Sequence, residues 1–183
     1  MKIDKLWNGL KRIANGDYVL EGDLISEETI EINLDDCLVV NGKIRAKKSI
    51  VVRCGIKAGE GIEAGWGIEA GEGIRAGCGI KAGEGIEAGW GIKAGEGIRA
   101  GWGIKAGCGI EAGEGIRAGW GIEAGEGIKA KTFINASKRI FAGISFYHTS
   151  KNCDKTIRCT ELQNGEICYG DLMLTKEAQN DEG

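Results

Sequence analysis

The chain of 183 residues contains 33 glycines, no proline and 28% charged residues, with a formal net charge of −3. This composition excludes collagen, which needs glycine at every third position with proline between, and it lacks the basic balance of a nucleic-acid-binding protein. No apolar segment is long enough to span a membrane, and the seven cysteines lack the pattern of a small secreted domain. We therefore expect one domain in a reducing cytoplasm, with mostly free thiols.

Residues 1–31 differ from the rest of the chain and predict an N-terminal cap. Five apolar residues fall on one face of a helical wheel: Ile3, Leu6, Trp7, Leu10 and Ile13. Gly16 follows them and suits the end of a helix. We expect a short amphipathic helix, followed by a strand, that covers the first coil of the repeat.

A six-residue repeat, G-I-[K/E/R]-A-G-[E/W/C], occupies residues 55–130, and weaker copies extend it to residues 32–146. Side chains alternate along a strand, so Ile and Ala share one face and the charged residue takes the other. A charge in every repeat cannot be buried, so Ile and Ala point inward. Two glycines around one residue permit a tight corner with positive φ. The pattern predicts an all-β parallel β-solenoid whose coils stack at about 4.8 Å.

The number of hexads in one coil is less directly determined. Three hexads would give a three-sided cross-section, and two would give a flat ribbon. Residues 55–78 nearly match residues 79–102, which favours an even number, but the pattern is shifted by one hexad in residues 103–126. The shift indicates that single hexads, and not blocks of 24 residues, are the units that can replace one another. An even number per coil is then not required, and we favour three hexads per coil.

Residues 147–183 predict a C-terminal cap with a disordered tail. The strand-like runs TIRCTEL and EICYGDLML are joined by Gln163-Asn164-Gly165, which is typical of a β-hairpin. The open edges of a solenoid invite association, so caps are expected at both ends. Incomplete caps would allow a homodimer through the coil ends.

Few residues suggest catalysis or metal binding. His148 is the only histidine, and a surface-loop position is a simpler account of it than the base of a solenoid acyltransferase. The cysteines lack the paired spacing of zinc ligands, so we expect neither a metal nor a cofactor. The charged residues at the third hexad position are mixed in sign and can pair between coils.

The sixth hexad position carries the residues best suited to binding. A core of Ile and Ala does not need tryptophan at its corners, and exposed tryptophan is enriched at binding hot spots. The alternatives are that each ring shields neighbouring glycines and that the corner glutamates are simply solvated. The predicted partner-binding residues are Trp66, Trp90, Trp102, Trp120, Glu60, Glu72, Glu84 and Glu96.

Two resemblances follow from these residues. The hexads are similar in style to bactofilin-type polymer-forming β-solenoids, although they lack the less regular, Val-rich coils of that family. The GWGIKAGEGI core and the segment KRIFAG…TIRCTELQNGEICYGDLMLT, in residues 138–175, resemble Gly-rich hexad-repeat proteins of gut Firmicutes and their phages. That group includes an anti-CRISPR inhibitor of the effector nuclease Cas9.

The second resemblance implies a non-enzymatic protein that binds the Cas9–guide RNA complex and inhibits DNA binding or cleavage. The residues do not indicate direct nucleic-acid binding or membrane association. The alternative function is a self-assembling, bactofilin-like scaffold, and the third is a solenoid acyltransferase.

Overall fold

The computed structural model describes residues 1–144 and 154–175, which form an all-β parallel solenoid of about eight coils. The described residues contain 25 strands and no helix. In chain order the strands are β1 (Lys2–Ile3), β2 (Leu10–Arg12), β3 (Tyr18–Leu20), β4 (Leu24–Ser26), β5 (Ile30–Ile32), β6 (Leu38–Val40), β7 (Ile44–Ala46), β8 (Ile50–Val52), β9 (Ile56–Ala58), β10 (Ile62–Ala64), β11 (Ile68–Ala70), β12 (Ile74–Ala76), β13 (Ile80–Ala82), β14 (Ile86–Ala88), β15 (Ile92–Ala94), β16 (Ile98–Ala100), β17 (Ile104–Ala106), β18 (Ile110–Ala112), β19 (Ile116–Ala118), β20 (Ile122–Ala124), β21 (Ile128–Ala130), β22 (Phe133–Ala142), β23 (Thr156–Cys159), β24 (Glu161–Tyr169) and β25 (Asp171–Leu174).

Each hexad forms one three-residue strand, and three hexads complete a coil. Within the regular repeat each strand pairs in parallel with the strand three positions later, 18 residues further along the chain. The pairs match Ile with Ile and Ala with Ala, as Ile62 pairs with Ile80 and Ala64 with Ala82. The prediction of a three-sided parallel solenoid is therefore confirmed.

The solenoid has three faces, which we name A, B and C. Face A contains β3, β6, β9, β12, β15, β18, β21, β23 and β25. Face B contains β4, β7, β10, β13, β16, β19 and the start of β22. Face C contains β5, β8, β11, β14, β17, β20 and the end of β22. Corners AB, BC and CA join these faces in chain order.

The core is a set of stacked Ile and Ala side chains. Every isoleucine that opens a hexad strand from Ile44 to Ile140 is at most 1% exposed, and the alanines two positions later are at most 7% exposed. No polar or charged side chain is buried among the described residues. Each isoleucine removed from water contributes about 1.5–3 kcal/mol, so the repeated Ile–Ala pattern accounts for the stability of the coils.

The corner glycines differ from expectation in their conformation. No glycine of the regular hexads has positive φ, so that part of the prediction is wrong. The first glycine of each corner is needed for close approach instead, because its backbone contacts the coil before it. A Cβ on Gly83 would lie 1.9 Å from the carbonyl oxygen of Gly65, whereas one on Gly85 would lie 3.6 Å from that of Gly103.

The N-terminal cap is made of strands, so the predicted helix is wrong. Strand β1 pairs in parallel with β5, and β2 pairs in antiparallel with β3. Ile3 is buried and Trp7 packs against the core, but Leu6 is 92% exposed. The unpaired edges of the first coil offer hydrogen bonds that a helix would leave unused, and Gly9 interrupts the segment with φ +105°.

The C-terminal segment continues the solenoid, so the predicted hairpin is also wrong. Strand β24 runs through Gln163-Asn164-Gly165 and pairs in parallel with β22, with three shifts of register. Strand β23 pairs in parallel with β21 and β25. The free edge of the preceding coil provides partners for both segments, and it outcompetes their pairing with each other. Strand β22 spans faces B and C without a break because Ser137, Lys138 and Arg139 replace a glycine corner.

Candidate binding surface

The structure distributes the predicted binding residues over three corners. Backbone hydrogen bonds join the corner residues of successive coils, which fixes the order along each corner. Corner BC carries Trp66, Glu84, Trp102, Trp120 and then Lys138. Corner CA carries Glu72, Trp90, Cys108 and Glu126, and corner AB carries Glu60, Cys78, Glu96 and Glu114. The predicted set is therefore not one stripe, and three of its four tryptophans share corner BC.

The tryptophan rings of corner BC lie largely in solvent. Trp66 is 52% exposed, Trp102 68% and Trp120 66%. Trp102 and Trp120 are neighbours in consecutive coils, because the Trp120 N–H donates to the Trp102 carbonyl at 3.0 Å. The Lys138 ammonium lies 5.8 Å from the centre of the Trp120 ring, within the range of a cation–π contact.

Trp90 occupies a separate position on corner CA, where it is 61% exposed. Corners BC and CA are the two borders of face C. All four hexad tryptophans therefore flank one face, and corner AB, opposite that face, has none.

The outward charges of the regular coils are segregated by face. In β9, β12, β15 and β18, face A presents Lys57, Arg75, Lys93 and Glu111. In β10, β13, β16 and β19, face B presents Glu63, Lys81, Arg99 and Arg117. In β11, β14, β17 and β20, face C presents Glu69, Glu87, Lys105 and Glu123. Two faces are thus mainly basic, and the face bordered by tryptophans is mainly acidic.

Pairing between coils does not explain this arrangement. Of the ten neighbouring pairs of outward charges from Lys57 to Lys129, five join like charges, including Glu69 with Glu87 and Arg99 with Arg117. Like charges directly opposite each other destabilise a sheet. Residues of opposite charge do form salt bridges, as between Lys93 and Glu111 at 2.9 Å. Stabilisation of neighbouring coils therefore accounts for only some of the outward charges.

A groove of 820 Å³ runs along face C beside corner BC, and we name it the face-C groove. Its floor is the backbone of the glycines that follow the corner residues, such as Gly85 and Gly103. Trp102 and Trp120 form one wall. The outward side chains of face C form the other wall, from Val51 through Glu69, Glu87, Lys105 and Glu123 to Phe141. Lys138 and Arg139 line it at its C-terminal end.

The wall opposite the tryptophans was not identified from the sequence. Its residues look like ordinary solvated charges when the hexads are compared one by one. The signal appears only when every third hexad is aligned, which requires the 18-residue coil to be known. The hexad pattern alone leaves the coil length open.

The cysteines of the described residues are spread over the solenoid. Cys54 is buried, with its sulfur 2.9 Å from the carbonyl oxygens of Leu34 and Asp36. Burial, with a smaller effect from the Asp17 carboxylate, raises the pKa of Cys37 to about 11. Burial also raises the pKa of Cys108 on corner CA. A raised pKa favours the protonated thiol of Cys37 and Cys108, which lowers their reactivity as nucleophiles.

No cluster of three or more potential metal ligands occurs in residues 1–144 and 154–175. His148 and Cys153 lie outside the described residues, as does Phe146 at the end of the predicted repeat. The part of the chain that the structure describes contains no helix that could span a membrane.

Comparison with known proteins returned no matching protein-family model, no matching curated protein and no matching solved structure.

Proposed function

We propose that this chain is a non-enzymatic binding protein that holds a macromolecular partner against face C and its two bordering corners. One observation carries the proposal: all four hexad tryptophans flank this face, and each is more than half exposed. Large exposed aromatic side chains are costly in water and are the residues most enriched at binding hot spots.

The coils also suit such a surface because they hold it rigid. Backbone hydrogen bonds of 3.0–3.1 Å join the corner residues from Trp66 to Trp120, and the strands beneath them pair without interruption. A surface that is ordered before binding loses little conformational entropy when a partner docks. Stacked repeats are a common source of such extended binding faces.

The candidate partner is the Cas9–guide RNA complex, which the resemblance in residues 138–175 implies. In this proposal the protein acts in the cytoplasm of a bacterial host, where it hinders DNA binding or cleavage by Cas9. The rod would act by occupying a surface of the complex, since the proposal includes no chemical step.

The test is a DNA-cleavage assay in which the protein is titrated against guide-loaded Cas9. Inhibition that saturates at a fixed ratio is expected. The variant W66A/W102A/W120A removes the rings of corner BC and should lose inhibition. The variant E60A/E96A/E114A alters corner AB in three coils and serves as the control, which should inhibit normally.

Two results would contradict this proposal in different ways. If the unmodified protein fails to inhibit Cas9 from several sources, the partner is wrong. If the triple tryptophan variant inhibits as well as the unmodified protein, the partner stands but corner BC is not the binding surface.

A self-assembling scaffold is the second candidate, and the C-terminal coil favours it. Tyr169, Leu172, Met173 and Leu174 are each 40–61% exposed there, and within the described residues β25 pairs only with β23. Exposed apolar strand edges are sites of association between chains. Sedimentation over a wide concentration range tests it: large polymers are expected of a scaffold, whereas a concentration-independent monomer or dimer would exclude it.

A further inference from the structure

We infer that the face-C groove takes an extended protein segment bearing Lys or Arg side chains, which lies along the axis of the solenoid. The inference rests on the proposed binding function and specifies the chemistry of the partner at one site. Four features of the groove support it: the pairing of the strands under it, its charge, its aromatic wall and its length.

The strands under the groove offer no free edge to a partner. Along corner BC the Glu84 N–H donates to the Trp66 carbonyl and the Trp102 N–H donates to the Glu84 carbonyl, both at 3.1 Å. The strands under the groove are paired on both sides as well. A segment lying across these strands cannot join the sheet as a further strand, so we assign its recognition chiefly to its side chains.

The charge of the groove favours cations at its N-terminal half. Glu69 and Glu87 are neighbours in consecutive coils, and both line the groove. Lys105 offsets this charge in part, since its ammonium lies 3.8 Å from Glu87. Lys138 and Arg139 make the C-terminal end basic. Cationic side chains of the segment therefore belong over Glu69 and Glu87, a position that repels phosphate groups.

The aromatic wall provides a second means of holding cations. Arginine and lysine bind over tryptophan faces, with a gain of about 0.5–2 kcal/mol that increases as water is excluded. The chain itself places a cation there, because the Lys138 ammonium lies 5.8 Å from the Trp120 ring. Trp102 is 68% exposed and available to a partner.

The length of the groove suits a short extended segment. The lining residues extend from Ser49 to Phe141, which spans five steps between coils. At about 4.8 Å per step the groove is about 24 Å long, enough for about seven extended residues at about 3.3 Å each. Such a segment would place three or four side chains on the groove.

The experiment measures fluorescence anisotropy of a labelled peptide of about seven residues that alternates serine and arginine. We expect saturable binding by the full chain, and none of the matching serine–glutamate peptide. The variant W102A/W120A should weaken binding by about tenfold. The variant E69Q/E87Q should weaken it by about three- to tenfold.

The matched control is E63Q/E114Q, which removes the same number of charges from face B and corner AB. It should change the affinity by less than about twofold, since these groups are not on face C and are screened by salt. Equal weakening by the two glutamine pairs would overturn the inference, because binding would then follow net charge alone. Preferential binding of the acidic peptide or of single-stranded RNA in the groove would also overturn it.

The inference and the proposed function can fail separately. If W66A/W102A/W120A abolishes Cas9 inhibition while no variant-sensitive binding of the arginine peptide occurs, the inference is overturned and the proposed function stands. If the arginine peptide binds in the groove and Cas9 is not inhibited, the inference is supported and the proposed partner is wrong.

Discussion

Replacing Gly83 by alanine tests the close approach that builds the corners. An added Cβ would lie 1.9 Å from the carbonyl oxygen of Gly65, and real Cβ atoms essentially never approach a heavy atom within 3.0 Å. The two coils would have to separate by about 1.1 Å at this corner to reach that limit. That separation disrupts the hydrogen bonds of Gly83 N–H to Ala64 and of Glu84 N–H to Trp66, both 3.1 Å long.

The expected loss of stability follows from these contacts. Two weakened hydrogen bonds cost about 1 kcal/mol each, and overpacking adds about 1–3 kcal/mol. Alanine also lowers the conformational entropy of the unfolded chain, which offsets about 0.4–1 kcal/mol of this loss of stability. The net destabilisation of Gly83→Ala is about 2–4.6 kcal/mol, which corresponds to a fall of about 4–18 °C in Tm for a chain of this size.

Gly85→Ala is the matched control, since it lies in the same corner and its Cβ would be 3.6 Å from the nearest carbonyl oxygen. We expect its free energy of unfolding to change by less than about 1 kcal/mol. Thermal unfolding followed by circular dichroism compares the two variants. Similar Tm values for both would refute the idea that close approach between coils requires the first glycine of the corner.

Three further predictions concern the core, a thiol and a surface pair. Ile92→Asp should unfold or aggregate the protein, because an unpaired buried charge costs several kcal/mol. The control Lys93→Asp changes an outward residue and should leave the chain folded. An unchanged Tm for Ile92→Asp would contradict the inward placement of Ile. Alkylation at pH 8 should label exposed Cys168 well before Cys37, whose pKa is raised to about 11, and mass spectrometry of the labelled peptides checks the order. The pKa of Glu111 is lowered by Lys93 and, to a smaller extent, by Lys129. The ionised carboxylate therefore stabilises the folded chain above its unfolded pKa, and this contribution is lost as the pH falls through the folded pKa. Glu111→Gln should lower Tm slightly at pH 7 and not at pH 2, and an equal decrease at both pH values would exclude the ion pair.

The hexads predicted the core and the strands because each residue of the motif has a local reason for its position. Ile and Ala alternate with a charge, and this pattern admits only one inward face. The pattern does not determine which corner a given tryptophan occupies. That depends on the number of hexads per coil, and Trp66 and Trp90 would share a corner if a coil contained two.

The cap predictions failed for a different reason. The spacing of Ile3, Trp7 and Leu10 fits a helix, and Gln163-Asn164-Gly165 fits a hairpin, when each segment is considered alone. In the structure each segment pairs with a neighbouring strand edge, which also satisfies the backbone groups of that edge that a local element would leave unpaired. The spacing of residues within a short segment does not indicate which strand edge will lie beside that segment in the folded chain.

The 18-residue coil also determines which changes in the length of the gene keep the downstream residues on their faces. Gain or loss of three hexads adds or removes one complete coil and leaves every other residue on its own face. Gain or loss of a single hexad rotates all downstream residues to the next face. The near-match of residues 55–78 and 79–102 is one coil plus one hexad long, and it takes Trp66 of corner BC to Trp90 of corner CA. Replication slippage in units of 18 codons would lengthen the rod, and slippage in units of six codons would redistribute its surface.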